Sequence, residues 1–314
     1  MKNKLLEQYH VSGNEFRIRD LIKDEVKDCC DECYYDNFGN VIVRLKGEGR
    51  KVLINAGIDT PGLLVTYVEE DGTLRFSAIG KLSAKELIGK RCVSGQVEGV
   101  IRAPFDEKTD ELKISDLLID LGMRKHSVRP GDVFALKNEF FENDESVFGT
   151  NLTVKANLSI LIETIQALSQ KPRKSDLYFA FTVQDQLGFK GAKVAANSIC
   201  PDVAVILSHA DCMGKSLLKW DGGAVVKIKD SIMIANRPFR EALEEILREN
   251  GVPFQYEILS SGGAYNSQMM YLQNGILTFG ISLPCKYYGS SLENIRKEEI
   301  ATLRRAVGIL AEAL

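Results

Sequence analysis

Between Pro61 and Thr150 the chain reads as short β-type runs broken by glycine and Asp-Gly turns, a texture found nowhere else in it. LLVTYVEEDGTLRFSAIG, KRCVSGQVEGVIRAP and RPGDVFALKNEFFE alternate in the manner of half-buried strands, and strands at this density predict a small barrel-like unit. After Thr150, helix and strand take turns. VKANLSILIETIQALSQ, GAKVAANSI, PFREALEEILREN and RKEEIATLRRAVGILAEAL carry helical periodicity, whereas DLYFAFTV, PDVAVILSH, GAVVKIKD and GILTFGISL are apolar runs of strand length. Such alternation implies a largely parallel or mixed sheet covered by helices on both faces. The first segment holds a helix, a strand pair turning around Asn37 to Asn40, and the buried-type strand KVLINAGI, and it needs that same sheet to bury itself. The expected architecture is an α/β sandwich of residues 1–59 and 152–314, interrupted by a β domain at 60–151.

The remaining composition narrows the function classes. A net charge of -3 leaves no electrostatic footprint for nucleic acid or an anionic membrane surface. No run approaches the roughly 20 apolar residues of a membrane span, and MKNKLLEQYHV lacks the apolar centre of a signal peptide, so a cytoplasmic location is expected. Seven scattered cysteines suit reduced thiols. The cluster Cys29, Cys30, Cys33 lacks a second ligand pair for a zinc knuckle and reads as packing near a helix end. Ser12 and Glu15 form an S-x-x-E pattern that predicts a capping box. His10 and His126 fall in segments that read as solvated surface.

Eight fragments in order carry a resemblance: VSGNEFRIRDLI, DNFGNVIVRLKG, AGIDTPGLL, IDLGMRKHSVRPGDVFAL, TVQDQLGFKGAKVAA, SICPDVAVILSHAD, SSGGAYNS and ISLPCKYYGSSLE. Together they span nearly the whole chain. The sequence resembles the glutamyl aminopeptidase and tetrahedral aminopeptidase family of dinuclear metallopeptidases, some of which are labelled endoglucanases. The resemblance implies an αβα sandwich of the zinc-exopeptidase type with an inserted β-barrel through which subunits dimerise, and hence a homo-oligomer.

Carried over residue by residue, the family's site changes character. The His-x-Asp that follows the first core strand is Gly57-Ile58-Asp59, keeping the orienting Asp and losing the ligand. The bridging Asp falls on Thr153, and no Asp or Glu occurs between Glu145 and Glu163. The Glu-Glu pair of general base and ligand falls on Asp185 and Gln186. The next ligand falls on Ser208, with Asp211 nearby, and the last, a His, on Gly289. No histidine follows His209. The family's Gly-Gly-Thr-Asp reads Gly262-Gly263-Ala264-Tyr265, and Lys286 stands for an Arg beside Tyr288.

Two divalent ions need anionic or imidazole donors, whereas Gly57 and Gly289 offer none and Thr153, Gln186 and Ser208 offer only neutral oxygens. No metal is therefore expected, and Tyr265 and Tyr288 are expected to fill its space, lining a cleft with Gln186 and Lys286. Three function classes stay open. One is a non-catalytic homologue kept for peptide binding, regulation or assembly, with Asp185 at the general-base position and Asp59 at the orienting one. Another is an active aminopeptidase with a reduced zinc or cobalt site built from Asp59, Asp185, His209 and Asp211. The third is a hydrolase of different chemistry on the same scaffold. For Asp59 and Asp185 a purely structural role, bonding turn amides, competes with a catalytic one.

Overall fold

The computed structural model describes residues 3–103, 112–214, 216–260 and 269–314. Helices α1 (Asn3–Glu7) and α2 (Phe16–Val26) precede strands β1 (Glu32–Tyr35), β2 (Val41–Leu45) and β3 (Lys51–Gly57). Four-residue spacing puts Ile18, Ile22 and Val26 on the buried side of α2. The capping box does not form. Glu15 is the N-cap residue itself, and its carboxylate accepts from the amides of Gly13 at 2.9 Å and Gln184 at 3.2 Å. The Ser12 amide is bonded to the Thr60 carbonyl at 3.1 Å, which ties that residue down outside the helix.

The β-dense stretch closes on itself. Strands β4 (Gly62–Val68), β5 (Leu74–Ile79), β6 (Arg91–Ser94), β7 (Val97–Arg102), β8 (Leu118–Asp120) and β9 (Val133–Leu136), with the short helix α3 (Ala84–Leu87), form a barrel ordered β4-β5-β8-β7-β6-β9. Leu63, Val65, Leu74, Ile101, Ile119 and Phe134 fill its interior. Closure pairs every strand on both sides, so no sheet edge is left open. Strands β10 (Phe140–Glu142) and β11 (Ser146–Gly149) lie outside this barrel, and the expected boundary at 151 falls after them.

The chain then runs through α4 (Leu152–Leu168), β12 (Asp176–Thr182), α5 (Lys190–Ile199), β13 (Val203–Asp211), β14 (Ala224–Lys229), α6 (Arg237–Glu249), β15 (Phe254–Ile258), β16 (Leu277–Cys285), β17 (Glu293–Arg296) and α7 (Lys297–Ala313). Eight strands make one mixed sheet, ordered β1-β2-β12-β3-β13-β16-β14-β15. The neighbours β12, β3, β13 and β16 are mutually parallel. Alternate side chains separate the two faces: Ile54, Phe179, Val205 and Phe279 pack with α4 and α7, and Leu53, Ala180 and Ile206 with α5. Strand β17 joins β11 and β10 in a separate antiparallel sheet.

One short segment sets the barrel against the sandwich. Val11 bridges to Thr60, Lys155 Nζ donates to the Leu6 carbonyl at 2.9 Å and to Asn138 Oδ1 at 2.8 Å, and Asn138 donates to the Gln8 carbonyl at 3.0 Å. Both chain crossings between the two units are thus held by residues 6–11. His10 is part of this joint and not of the surface: it is fully buried with Nδ1 against the Ile58 carbonyl. Burial, with Lys155 close by, drops its pKa to about 3. The sequence reading failed there because a polar flank conceals a long-range contact.

Candidate functional site

Parallel strands end together, and in open α/β sheets the crevice beyond their carboxyl ends is where ligands sit. Here β3, β12, β13 and β16 deliver Asp59, Asp185, Ser208 with His209, and Lys286 to Gly289 to that edge. Asp59 is 1% exposed. Its Oδ1 accepts the Asp185 amide at 2.8 Å and its Oδ2 the Gln186 amide at 2.9 Å, so it holds the turn that leaves β12. Desolvation raises its pKa to about 6 against the pull of those two amides.

Gly57 and Asp185 exclude one another's side chains. A Cβ added to Gly57 would lie 2.0 Å from Asp185 Oδ2 and 2.6 Å from its Cγ. The Asp185 carboxylate sits where a residue-57 side chain would begin, and its Oδ1 accepts from the Thr182 hydroxyl at 3.2 Å. Gln186 leans toward the barrel: a Cβ on Gly80, in the turn after β5, would meet Gln186 Oε1 at 2.6 Å.

Thr153 and Gly289 are joined through a residue that the sequence reading did not single out. Glu293 Oε2 accepts from the Thr153 amide at 2.8 Å and its hydroxyl at 2.9 Å, and Oε1 accepts from the Gly289 amide at 3.3 Å. Burial raises the pKa of this carboxyl. The available signal was its isolation, since it is the single Asp or Glu between Glu257 and Glu298.

The other side of the edge is aromatic. His209 and Tyr288 stack with centroids 3.3 Å apart and planes 12° apart. Burial first, then Lys227, lowers the His209 pKa to about 3, and desolvation first, then Glu293, raises that of Tyr288. Lys286 Nζ lies 3.8 Å from the centre of the Trp220 ring, and Asp211 accepts the Met213 amide at 3.0 Å. The Ser208 carbonyl accepts from Asn157 at 3.1 Å. Tyr265 and Gly262 to Ala264 lie outside the described residues.

Three non-glycine residues at this edge have left-handed backbones: Asn151 (φ 51°), Gln184 (φ 56°) and Tyr287 (φ 60°). They stand just before Thr153, Asp185 and Tyr288, and such conformations persist only where surrounding structure enforces them. The structure thus gathers Asp59, Asp185 and Gln186 in one group, ties Thr153 to Gly289 in another, and stacks His209 on Tyr288 in a third. Among the described residues no three His, Cys, Asp or Glu side chains are placed to hold a metal ion.

The sequence profile of the M42 glutamyl aminopeptidases matches residues 39–305. An Acetivibrio thermocellus protein assigned by name to the aminopeptidases is 34% identical, over 97% of this chain and 94% of its own length. The lysyl aminopeptidase of Pyrococcus furiosus is 27% identical, over 99% of this chain and 96% of its own. The solved TET1 peptidase of Pyrococcus horikoshii superposes with a TM-score of 0.91 at 29% identity, covering 99% of this chain and 98% of that one. The strand-end crevice, the closed barrel and the full-length match agree, and the chain belongs to the M42 glutamyl aminopeptidase family.

Proposed function

We propose that this family member has given up the two-metal centre and binds peptides at the strand ends without cleaving them. One observation carries the reading: the Asp185 carboxylate takes the space in which a ligand side chain at position 57 would start. The donor chemistry points the same way. A dinuclear centre places four positive charges among carboxylates and imidazoles, whereas the Thr153 hydroxyl is spent on Glu293 and the Asp59 oxygens on backbone amides. An Asp at position 185 also falls about 1.5 Å, one C–C bond, short of a Glu, and misplacements near 1 Å can cost about a hundredfold in rate. The residues present do not fit the group, and water without a metal keeps its pKa near ~15.7, a feeble nucleophile.

The test has two parts run on one preparation. Elemental analysis after purification with zinc and cobalt is expected to find no stoichiometric metal, and short peptides are expected to keep their N-terminal residues. Stoichiometric metal with turnover would overturn the proposal in favour of a rearranged site including Asp59, Asp185, His209 and Asp211. Turnover without metal would point to a different hydrolase chemistry. Restoring His, Asp, Glu, Asp and His together at Gly57, Thr153, Gln186, Ser208 and Gly289 is the stricter trial.

Self-association through the barrel belongs to the same proposal. Its support is the TET1 peptidase, described as assembling into a tetrahedron or a large octahedral shell. Light scattering that returns the 34.9 kDa of one chain at high concentration would count against it. No helix among the described residues is long and apolar enough to cross a membrane, and a cytoplasmic location is proposed.

A further inference from the structure

Outside both the barrel and the strand-end crevice, the small sheet β10-β11-β17 has sides of different kinds. On the outer side of β17, Asn294 is bridged to Lys286, whereas no strand among the described residues pairs with the outer side of β10. The register says which groups β10 leaves over. The Thr150 amide donates to the Glu139 carbonyl at 3.1 Å and the Asn143 amide to the Ser146 carbonyl at 3.0 Å, with Phe141 opposite Phe148 between them. Alternate residues of an antiparallel strand bond to the same neighbour. Residues 139, 141 and 143 therefore bond inward to β11, and the N–H and C=O groups of Phe140 and Glu142 point away from the sheet.

Native edges are blunted by lysine, proline, bulges or a covering element. The strand Phe140-Phe141-Glu142 has no lysine, proline or bulge, and its two phenylalanines are 42% and 53% exposed. Phe141 stacks on Phe148 with centroids 4.6 Å apart and planes 7° apart, so an aromatic ladder starts on one face and stops at the edge. This edge is complementary to itself. Two copies of β10 laid antiparallel about a two-fold axis through Phe141 bring Phe140 of each opposite Glu142 of the other, where the outward backbone groups of both strands meet. Phe141 then faces Phe141 of the second copy in the closer, non-hydrogen-bonded type of pair, and the ladder runs on into Phe148 of that copy. Glu139 falls opposite Asn143, so no like charges, which destabilise facing positions, come together.

We propose that two copies of this chain join edge to edge at β10, across a two-fold axis through Phe141. The inference rests on the self-association proposed above and deepens it, placing a contact outside the barrel. An isologous contact needs a surface that complements itself, and this parity of bonds and side chains supplies one. A three-residue strand buries far less than the roughly 1,200–2,000 Å² of a stable interface. The β10 contact therefore fixes the register of copies that the barrel also holds.

The experiment uses the full chain. Phe140→Cys, Phe141→Cys and Glu142→Cys are made singly and oxidised with diamide, and the linked peptides are mapped by mass spectrometry against the parent chain, whose native thiols set the background. F141C is expected to give a symmetric disulfide between copies, because facing Cα atoms in such a pair lie about 4.5 Å apart, within disulfide reach. F140C and E142C lie diagonal to themselves across the axis and should link far less. Glu142→Pro removes an outward N–H and no bond to β11, so the fold should survive, which circular dichroism checks. Sedimentation should show association weakened about tenfold or more by Glu142→Pro and by Phe141→Asp. No symmetric link from F141C above the parent, or equal links at all three positions, would overturn the inference. A link from F141C to a different segment would do the same and name another cover for the edge. An assembled mass that ignores Glu142→Pro and Phe141→Asp, with no symmetric link, sinks this contact and keeps association through the barrel. The mass of one chain with no link at any position sinks both.

Discussion

In the barrel, every described residue with positive φ is a glycine: Gly72, Gly80, Gly89, Gly95, Gly122 and Gly131. In the sandwich, Asn151, Gln184, Phe189, Cys200, Gln273 and Tyr287 adopt the same region with full side chains. The two units share one chain and handle tight turns differently. The barrel uses only the residue that turns freely, whereas the sandwich uses glycine at eight described positions and also holds strained backbone at six others, three of which border the strand-end edge. Strain of this kind costs on the order of 1 kcal/mol or more per residue and needs bonded neighbours to hold it. Those neighbours are the buried carboxylates of Asp59, Glu293 and Glu15, which accept backbone amides where the strands stop.

The largest test of that contrast removes one such carboxylate. Glu293→Ala strips three hydrogen bonds from Thr153 and Gly289 and should cost roughly 2–4 kcal/mol in urea unfolding. Its barrel counterpart, Glu98→Ala, breaks exposed ion pairs with Arg91 and Lys137 and should leave the midpoint almost unmoved. Equal losses would break the comparison. Next in size, Gly57→Ala should cost about 1–3 kcal/mol by overpacking against Asp185. Asp185→Ala in the same chain should return part of that loss, and strict additivity of the two would show that the side chains do not compete.

Smaller effects are expected from the backbone itself. Tyr287→Gly should stabilise by up to about 1 kcal/mol by releasing a left-handed conformation, while Gly131→Ala should destabilise by about 1 kcal/mol. An added Cβ on Gly131 meets nothing within 4 Å, so its φ of 97° alone carries that cost. The joint between the units offers a pH test. His10 is held neutral in the fold at a pKa of about 3, against about 6.5 when unfolded. The unfolded chain therefore binds the extra proton between those values, and stability should fall as pH drops below about 6.5 toward 3. His10→Asn should flatten that slope; an unchanged slope would place the acid sensitivity elsewhere.

Some of the site was legible in advance. Asp59, Asp185, Thr153, Ser208, Gly289 and Tyr288 could be named only through the family resemblance, whose motif order points to those positions. What they touch could not be named. Glu293 drew no notice since its partners lie 140 and four residues away, and His10 was misread because its contact at Ile58 crosses 48 residues. The Ser12–Glu15 pattern was a valid local signal that lost to Thr60 and Gln184, which claim the same groups.

By itself the sequence determined the layering: apolar periods of two and of about 3.6 specify which residues face a sheet or a helix, and glycine spacing marks the barrel's turns. It also determined which donor types stand at the strand ends. Only the tertiary structure decided that Asp185 shuts out a side chain at Gly57, that Glu293 ties Thr153 to Gly289, and that His209 stacks on Tyr288. Those facts depend on distances between atoms far apart in the chain, and side-chain periodicity carries no information about them.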